Sequence, residues 1–204
     1  MTRLVVTADV HGSYSTWLTI KDILEQDDSL AVAGDLFGTR YPRHGYSDYQ
    51  PERILEDIST FSNPLYFVYG NCDGRTFFPG YHDTLRFDFM DWKIFLHHGD
   101  IYYRQIPEDI LSSDVNLVIQ GHTHVFALEK DAQKNKRNRN SIKYNSQNKR
   151  IFLNPGSLSE PRTSFYTYAV VDCNGIDIIN IKTATSLKSI STTRTSSIKR
   201  ATKT

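Results

Sequence analysis

The stretch YGNCDG, residues 69–74, closes the apolar run NPLYFV at 63–68 with an abrupt change of chemistry. The β-branched and aromatic residues of the run read as a buried strand, and Gly70 to Gly74 read as the turn at its end. Cys72 in that turn has three possible meanings: a nucleophile, a metal ligand, or a residue standing where another group would act. The other strand ends decide among them.

Upstream, RLVVTA and SLAVAGD read as two more strands. Between them SYSTWLTIKDILEQ is a helix, with Trp17, Ile20, Ile23 and Leu24 as its apolar positions and Ser13 or Ser15 as N-cap. PERILEDISTF is a second helix, opened by Pro51. Strand, helix, strand, helix, strand is the order of a parallel sheet in an α/β fold. Downstream, LRFDFMDW and KIFLHHG form a hairpin around Asp91, and IPEDILSS is a short helix. VNLVIQG, VFALEK and RIFLNPG are strands, and YTYAVVDCNGIDIINI is a closing hairpin that turns at Asn174–Gly175.

The length of 204 residues suits one domain, expected over residues 1–182. Residues 131–150 carry seven Lys or Arg against one Asp and read as a basic, solvated insertion loop. Residues 183–204, rich in Ser, Thr, Lys and Arg, read as a disordered tail. The rest of the chain, up to Ile181 without the insertion, holds 11 basic and 22 acidic residues. An acidic body is unlike a domain that lies along a polyanion, so nucleic acid is not the expected partner. No segment has the length and apolarity of a membrane span, and the N-terminus enters a strand without a signal-peptide pattern. Two cysteines, Cys72 and Cys173, make no disulfide framework, which leads to the expectation of a cytoplasmic protein.

Five strands end in polar residues, mostly beside glycine: ADVHG, AGDL, YGNCDG, HHGD and QGHTHV. Sites in α/β sheets form outside the carboxyl ends of the strands. A single Asp after Gly is more often a cap, and a single Asn more often a turn residue, so each segment alone means little. Five together point to one convergent site. Asp9 and His11 lie two apart, as do His122 and His124, so that on a strand each pair would point the same way. Carboxylate, imidazole and carboxamide oxygen together suit Mn²⁺, Fe or Zn²⁺. Seven candidate ligands exceed one four-coordinate ion and suit two ions that share a bridge. Of the adjacent His97 and His98, only one can face that site.

The series DVHG, GD, GNCD, HGD, GHTH and NPGS resembles the calcineurin-like metallophosphoesterases, and within them the small single-domain, YfcE-type phosphodiesterase branch. The likeness runs from about residue 3 to residue 180. It implies a four-layer α/β/β/α sandwich with two divalent ions at one edge, Mn²⁺ foremost, with Fe, Zn²⁺, Ni²⁺ or Co²⁺ as alternatives. By the family pattern Asp9, His11, Asp35 and His124 hold the first ion. Asp35, Asn71, His98 and His122 hold the second, and Asp35 bridges. The family ligand directly precedes a Gly, which selects His98. The implied activity is hydrolysis of small phosphate esters, most of all diesters, by a metal-bound hydroxide, with Asp35 and Asn71 as the catalytic side chains through the ions they hold. His44 and Arg162 are expected substrate contacts, Asn154 and Ser157 supports of the rim, and a homo-oligomer is a compatible assembly. Many relatives carry a His where this chain has Cys72, so the residue stands where a general acid would act. Two rival functions are a DNA-repair type nuclease, which the acidic body opposes, and a non-catalytic scaffold like the retromer subunit of this fold, which should have lost ligands.

Overall fold

The computed structural model describes residues 2–102, 107–130 and 150–192. Three strands open the chain: β1 (Leu4–Thr7), β2 (Ser29–Ala33) and β3 (Leu65–Val68). They pair in parallel, β1 with β2 and β2 with β3. Helices α1 (Tyr14–Ile23) and α2 (Pro51–Ser59) connect them. Ser13 caps α1 by accepting from the Thr16 amide, and Pro51 opens α2, where its missing N–H costs no hydrogen bond. Trp17 and Lys21 of α1 both donate to Asp57 of α2 and fasten the two helices together.

The remaining strands are β4 (Thr84–Phe89), β5 (Trp92–His97), β6 (Leu117–Gln120), β7 (Ala127–Lys130), β8 (Ile151–Asn154), β9 (Thr167–Val171), β10 (Gly175–Asn180) and β11 (Thr185–Ser191), with the short helix α3 (Glu108–Leu111) after β5. They build two mixed sheets, one of six strands in the order β11-β10-β9-β1-β2-β3 and one of five in the order β4-β5-β6-β8-β7. The sheets face each other across one apolar layer that includes Leu4, Val6, Ala31, Ile94, Leu96, Leu117, Ile119 and Ala169. Val5, Val32 and Phe67, on the opposite face of the first sheet, pack with Trp17, Ile20 and Ile54 of the helices. Phe95 and Val118 on the outer face of the second sheet pack with Ile110 of α3. The result is the α/β/β/α sandwich. Strands buried on both faces read as continuous apolar runs, and for that reason LVVT and SLAVA were legible. The β4–β5 hairpin and the β9–β10 hairpin form at the expected turns.

Two boundaries differ from the sequence reading. Residues 185–191, expected in the tail, form β11, which pairs antiparallel with β10. As an edge strand exposed over most of its length, β11 is held by backbone hydrogen bonds, and Ile190 alone of its residues packs on the central core. Such a strand needs few apolar residues, so its composition resembles that of a tail. Arg150, expected in the solvated insertion, is buried and donates to the carbonyls of Val115, Ile110 and Ser113. The remainder of the insertion, 131–149, and of the tail, 193–204, lies outside the described residues. Among the described residues no helix is long and apolar enough to cross a membrane.

Candidate metal centre

The five polar strand ends meet at one edge of the sandwich. Asp9 and His11 follow β1, Asp35 follows β2, and Asn71 follows β3, while His98 follows β5 and His122 and His124 follow β6. The first sheet thus supplies four of the side chains and the second sheet three. Their convergence does not come from strand periodicity, as the spacing predicted. Among the described residues seven non-glycine residues have positive φ, and five of them are Asp9, His11, Asp35, His122 and His124, at 54° to 67°. Each such residue costs roughly 1–2 kcal/mol for a side chain with a Cβ. Left-handed backbone clustered in this way marks a functional site held by its surroundings.

The site divides into two overlapping groups. In the first, His11 Nε2 lies 3.3 Å from His124 Nε2 and 3.9 Å from Asp35 Oδ2, and His124 Nε2 lies 3.4 Å from Asp9 Oδ1. In the second, His98 Nε2 is 3.1 Å from Asn71 Oδ1 and 3.3 Å from Asp35 Oδ2. His122 Nδ1 is 2.9 Å from Asn71 Oδ1 and 3.3 Å from His98 Nε2. Asp35 belongs to both. Asp9, His11, Asp35, His98 and His124 are buried, and Asn71 and His122 half-buried.

The proton inventory shows what this arrangement lacks. A carbonyl can only accept, so His98 Nδ1 must donate to Ala33 O at 2.8 Å, and His124 Nδ1 to Glu160 O at 2.6 Å. With Nδ1 so engaged, Nε2 of each ring faces carboxylate, carboxamide or imidazole groups, and it can meet a carboxylate only by carrying a second proton or through a shared cation. Asp9 Oδ2 is buried with no hydrogen-bond partner at all. Acceptors turned toward acceptors in a buried space call for cations, and ligating histidines commonly donate their other ring nitrogen to a carbonyl, as here. Oxygen and imidazole donors fit a divalent transition metal.

Electrostatics agree. Burial pushes Asp9 up to about 7, and burial pushes His11 down to about 4 despite the nearby Asp35 carboxylate. Burial and then the Arg162 guanidinium hold His124 down at about 4. Burial opposes the charge on His98, yet its hydrogen bond to Asp35 lifts it to about 9, and the same partnership overrides burial to bring Asp35 to about 2. Without a cation, one proton on His98 therefore supplies the positive charge.

Two glycines make the close approach possible. A Cβ on Gly34 would lie 2.4 Å from His98 Nδ1, and one on Gly70 would lie 2.1 Å from Asp35 Oδ1. His97 faces away from the site and stacks on Phe95, as its alternation with His98 requires. Cys72 is no nucleophile, although its sulfur lies within 4.8 Å of donor atoms of His11 and Asp35. Burial and then the Asp35 carboxylate push its thiol up to about 12, which keeps it protonated. Its amide donates to Asp35 Oδ1, and its sulfur accepts from Asn71 Nδ2, an arrangement that leaves Asn71 Oδ1 toward the histidines. Asp73 is buried and accepts from the amides of Phe37, Gly38 and Gly70, tying the loop after β2 to the loop after β3.

Asn154 donates to Gly121 O and Thr123 Oγ1, and Ser157 donates to Asp9 O, so NPGS fixes the turns that carry Asp9, His122 and His124. Arg162 is exposed beside His124, to whose carbonyl its amide donates. His44 lies on the exposed loop after β2, in a cleft rather than among the seven side chains. Sequence reasoning missed Arg43, which pairs with Glu160 at the rim. Its exposed Gly, Pro, Arg and Tyr loop carries no periodic signal.

The model of the calcineurin-like phosphoesterase superfamily domain matches residues 2–175. Among solved structures, YfcE, a phosphoesterase from E. coli, superposes with a TM-score of 0.71 at 20% identity, over 93% of this chain and 98% of that one. An archaeal phosphodiesterase superposes at 0.57 with 16% identity, over 93% and 99%. Wild-type Vps29 from Entamoeba histolytica, complexed with Zn²⁺, superposes at 0.56 with 16% identity, over 93% and 98%. No curated protein sequence matches. The two-sheet architecture is that of the metallophosphoesterases. The chain belongs to the calcineurin-like phosphoesterase superfamily.

Proposed function

We propose that this protein is a binuclear-metal phosphodiesterase that hydrolyses small phosphate diesters. The observation that carries the reading is the convergence of seven carboxylate, carboxamide and imidazole side chains in one space, with a buried Asp9 oxygen left unpartnered. Asp9, His11, Asp35 and His124 would hold one ion, Asp35, Asn71, His98 and His122 the other, and Asp35 would join the two. Divalent cations there, Mn²⁺ foremost, supply an activated water as nucleophile and stabilise charge on the phosphoryl oxygens. The chain's own groups do the rest. Asn154 and Ser157 hold the ligand turns rigid, and the Ala33 and Glu160 carbonyls fix the ring orientations of His98 and His124. Arg162, exposed beside His124, would meet a substrate phosphate.

A scaffold with this fold remains the rival, and ion binding alone does not separate the two, since the Vps29 that shares the fold also takes Zn²⁺. Turnover does. The metal-stripped protein, reloaded with Mn²⁺, should hydrolyse bis-p-nitrophenyl phosphate and hold two ions per chain. Two bound ions with no hydrolysis of this diester under Mn²⁺, Zn²⁺, Ni²⁺ or Co²⁺ would overturn the enzyme reading.

A further inference from the structure

The loop between β2 and α2 passes beside the metal centre and walls an open cleft of about 380 Å³. Ligand pockets occupy roughly 300–1,000 Å³, so the space is sufficient for one organic group. Arg43, His44, Tyr46, Tyr49, Glu52 and Phe77 contribute to its walls.

The cleft and the metal centre share a wall. The Tyr49 ring lies so close to Gly12 that a Cβ there would sit 2.6 Å from it, and Gly12 directly follows His11. Gly38, whose carbonyl lies 3.5 Å from the Tyr49 hydroxyl, in turn packs on the backbone of His11. Arg43 stands between the two spaces. It pairs with Glu160, whose carbonyl accepts from His124, and its charge bears on both the His11 imidazole and the Tyr49 phenol.

The chemistry of the walls is specific in kind. Tyr46, Tyr49 and Phe77 offer aromatic surface, and Tyr46 is 73% exposed. Glu52 is exposed beside Tyr49 and, among the described residues, forms no ion pair. Aromatic faces take flat rings, a free carboxylate accepts from N–H or O–H donors, and a guanidinium meets a phosphate oxygen. We infer that the cleft receives one ester arm of the substrate and that this arm is a nucleoside: its base stacks on Tyr46 and Tyr49, its donors face Glu52, and Arg43 meets the bridging phosphate. The inference rests on the phosphodiesterase reading and narrows it to small nucleotide diesters. A long strand would meet the acidic body, which repels a polyanion.

The test compares two diesters with the same leaving group and the same single charge, thymidine 5′-(p-nitrophenyl phosphate) and methyl p-nitrophenyl phosphate, on the Mn²⁺-loaded full chain. The wild type should favour the thymidine ester in kcat/KM by roughly tenfold or more, the scale of one base stacked on an aromatic side chain. Tyr46→Ala and Glu52→Gln, both at exposed positions, should each lower that ratio, Tyr46→Ala by about tenfold. Thymidine 5′-phosphate, titrated calorimetrically into the loaded protein, should bind Tyr46→Ala more weakly by a similar factor. A wild-type ratio within about twofold of one, or a ratio and affinity unmoved by both variants, overturns the nucleoside assignment and leaves the phosphodiesterase reading in place. Hydrolysis of neither ester by the loaded wild type overturns both.

Discussion

Gly34→Ala should disable the metal centre without touching a ligand. Gly34 sits at φ +83°, and a Cβ there would lie 2.4 Å from His98 Nδ1 and 2.6 Å from His98 Cγ. Heavy atoms prefer about 3.5 Å or more, so the ring must retreat by about 1 Å. That retreat breaks the 2.8 Å bond from Nδ1 to Ala33 O and carries Nε2 away from Asn71 and Asp35. The left-handed backbone adds about 1–2 kcal/mol for alanine, and the lost buried hydrogen bond about 1 kcal/mol more. Together they total roughly 2–3 kcal/mol, which for a chain of this size lowers Tm by about 5–10 °C. Disturbing the support of a ligand typically weakens metal binding by about 10–100-fold. Gly80→Ala is the control, because Gly80 has φ +97° and nothing within 4 Å of its added Cβ. It should show the backbone cost alone, with ion content intact. The assay is a thermal melt of both variants, together with ions per chain after dialysis at a fixed low Mn²⁺ concentration. If Gly34→Ala melts with Gly80→Ala and keeps two ions, His98 is not held where this reasoning places it.

Asp35→Asn should lower kcat by several orders of magnitude and reduce the ion content, because Asp35 Oδ2 lies 3.9 Å from His11 of one group and 3.3 Å from His98 of the other; an active variant with two ions by mass spectrometry contradicts the bridge. Cys72→Ala should leave turnover largely in place, since it removes a neutral thiol that accepts from Asn71 and hydrogen-bonds the Asp35 carboxylate, both weak interactions of sulfur. Abolished turnover in that variant, with both ions retained, would make the thiol catalytic. The metal-free protein should lose stability as pH rises. His98 keeps its proton in the fold up to about 9 against 6.5 unfolded, so its contribution is full below pH 6.5 and fades as pH passes 9. Asp9, raised from 3.8 to about 7, acts in the same sense over the lower window. Calorimetry from pH 6 to 9 should show that decline without metal and its loss with Mn²⁺, because the cation takes the place of the proton; a metal-free Tm that climbs over this range counts against the assignment.

The fold was legible where burial writes itself into the pattern. The doubly buried strands LVVT and SLAVA, the capped α1 and the Asn174–Gly175 hairpin could all be read from residue order. β11 could not, because an exposed edge strand depends on backbone pairing that any Ser or Thr can supply. The seven site residues announced themselves as polar groups beside glycine at strand ends, and the structure brings all of them together. The reason offered for their convergence was wrong. Asp9 and His11 do not alternate along a strand; each sits past its end in left-handed backbone, a state that residue type alone does not reveal. Arg43 and the cleft stayed hidden for a related cause, since a loop without period carries no record of what it faces.

The side chains of the candidate centre come from both sheets, and this has a mechanical consequence. Between the sheets lies an apolar layer whose contacts carry little directional preference, whereas at this edge His98 meets Asp35 and His124 meets Asp9 across the seam. An ion held there acts as a rivet through two plates. Its affinity is then a gauge of how well the sheets are docked, and any strain that parts them, however distant, is felt as a loss of metal before it is felt as unfolding.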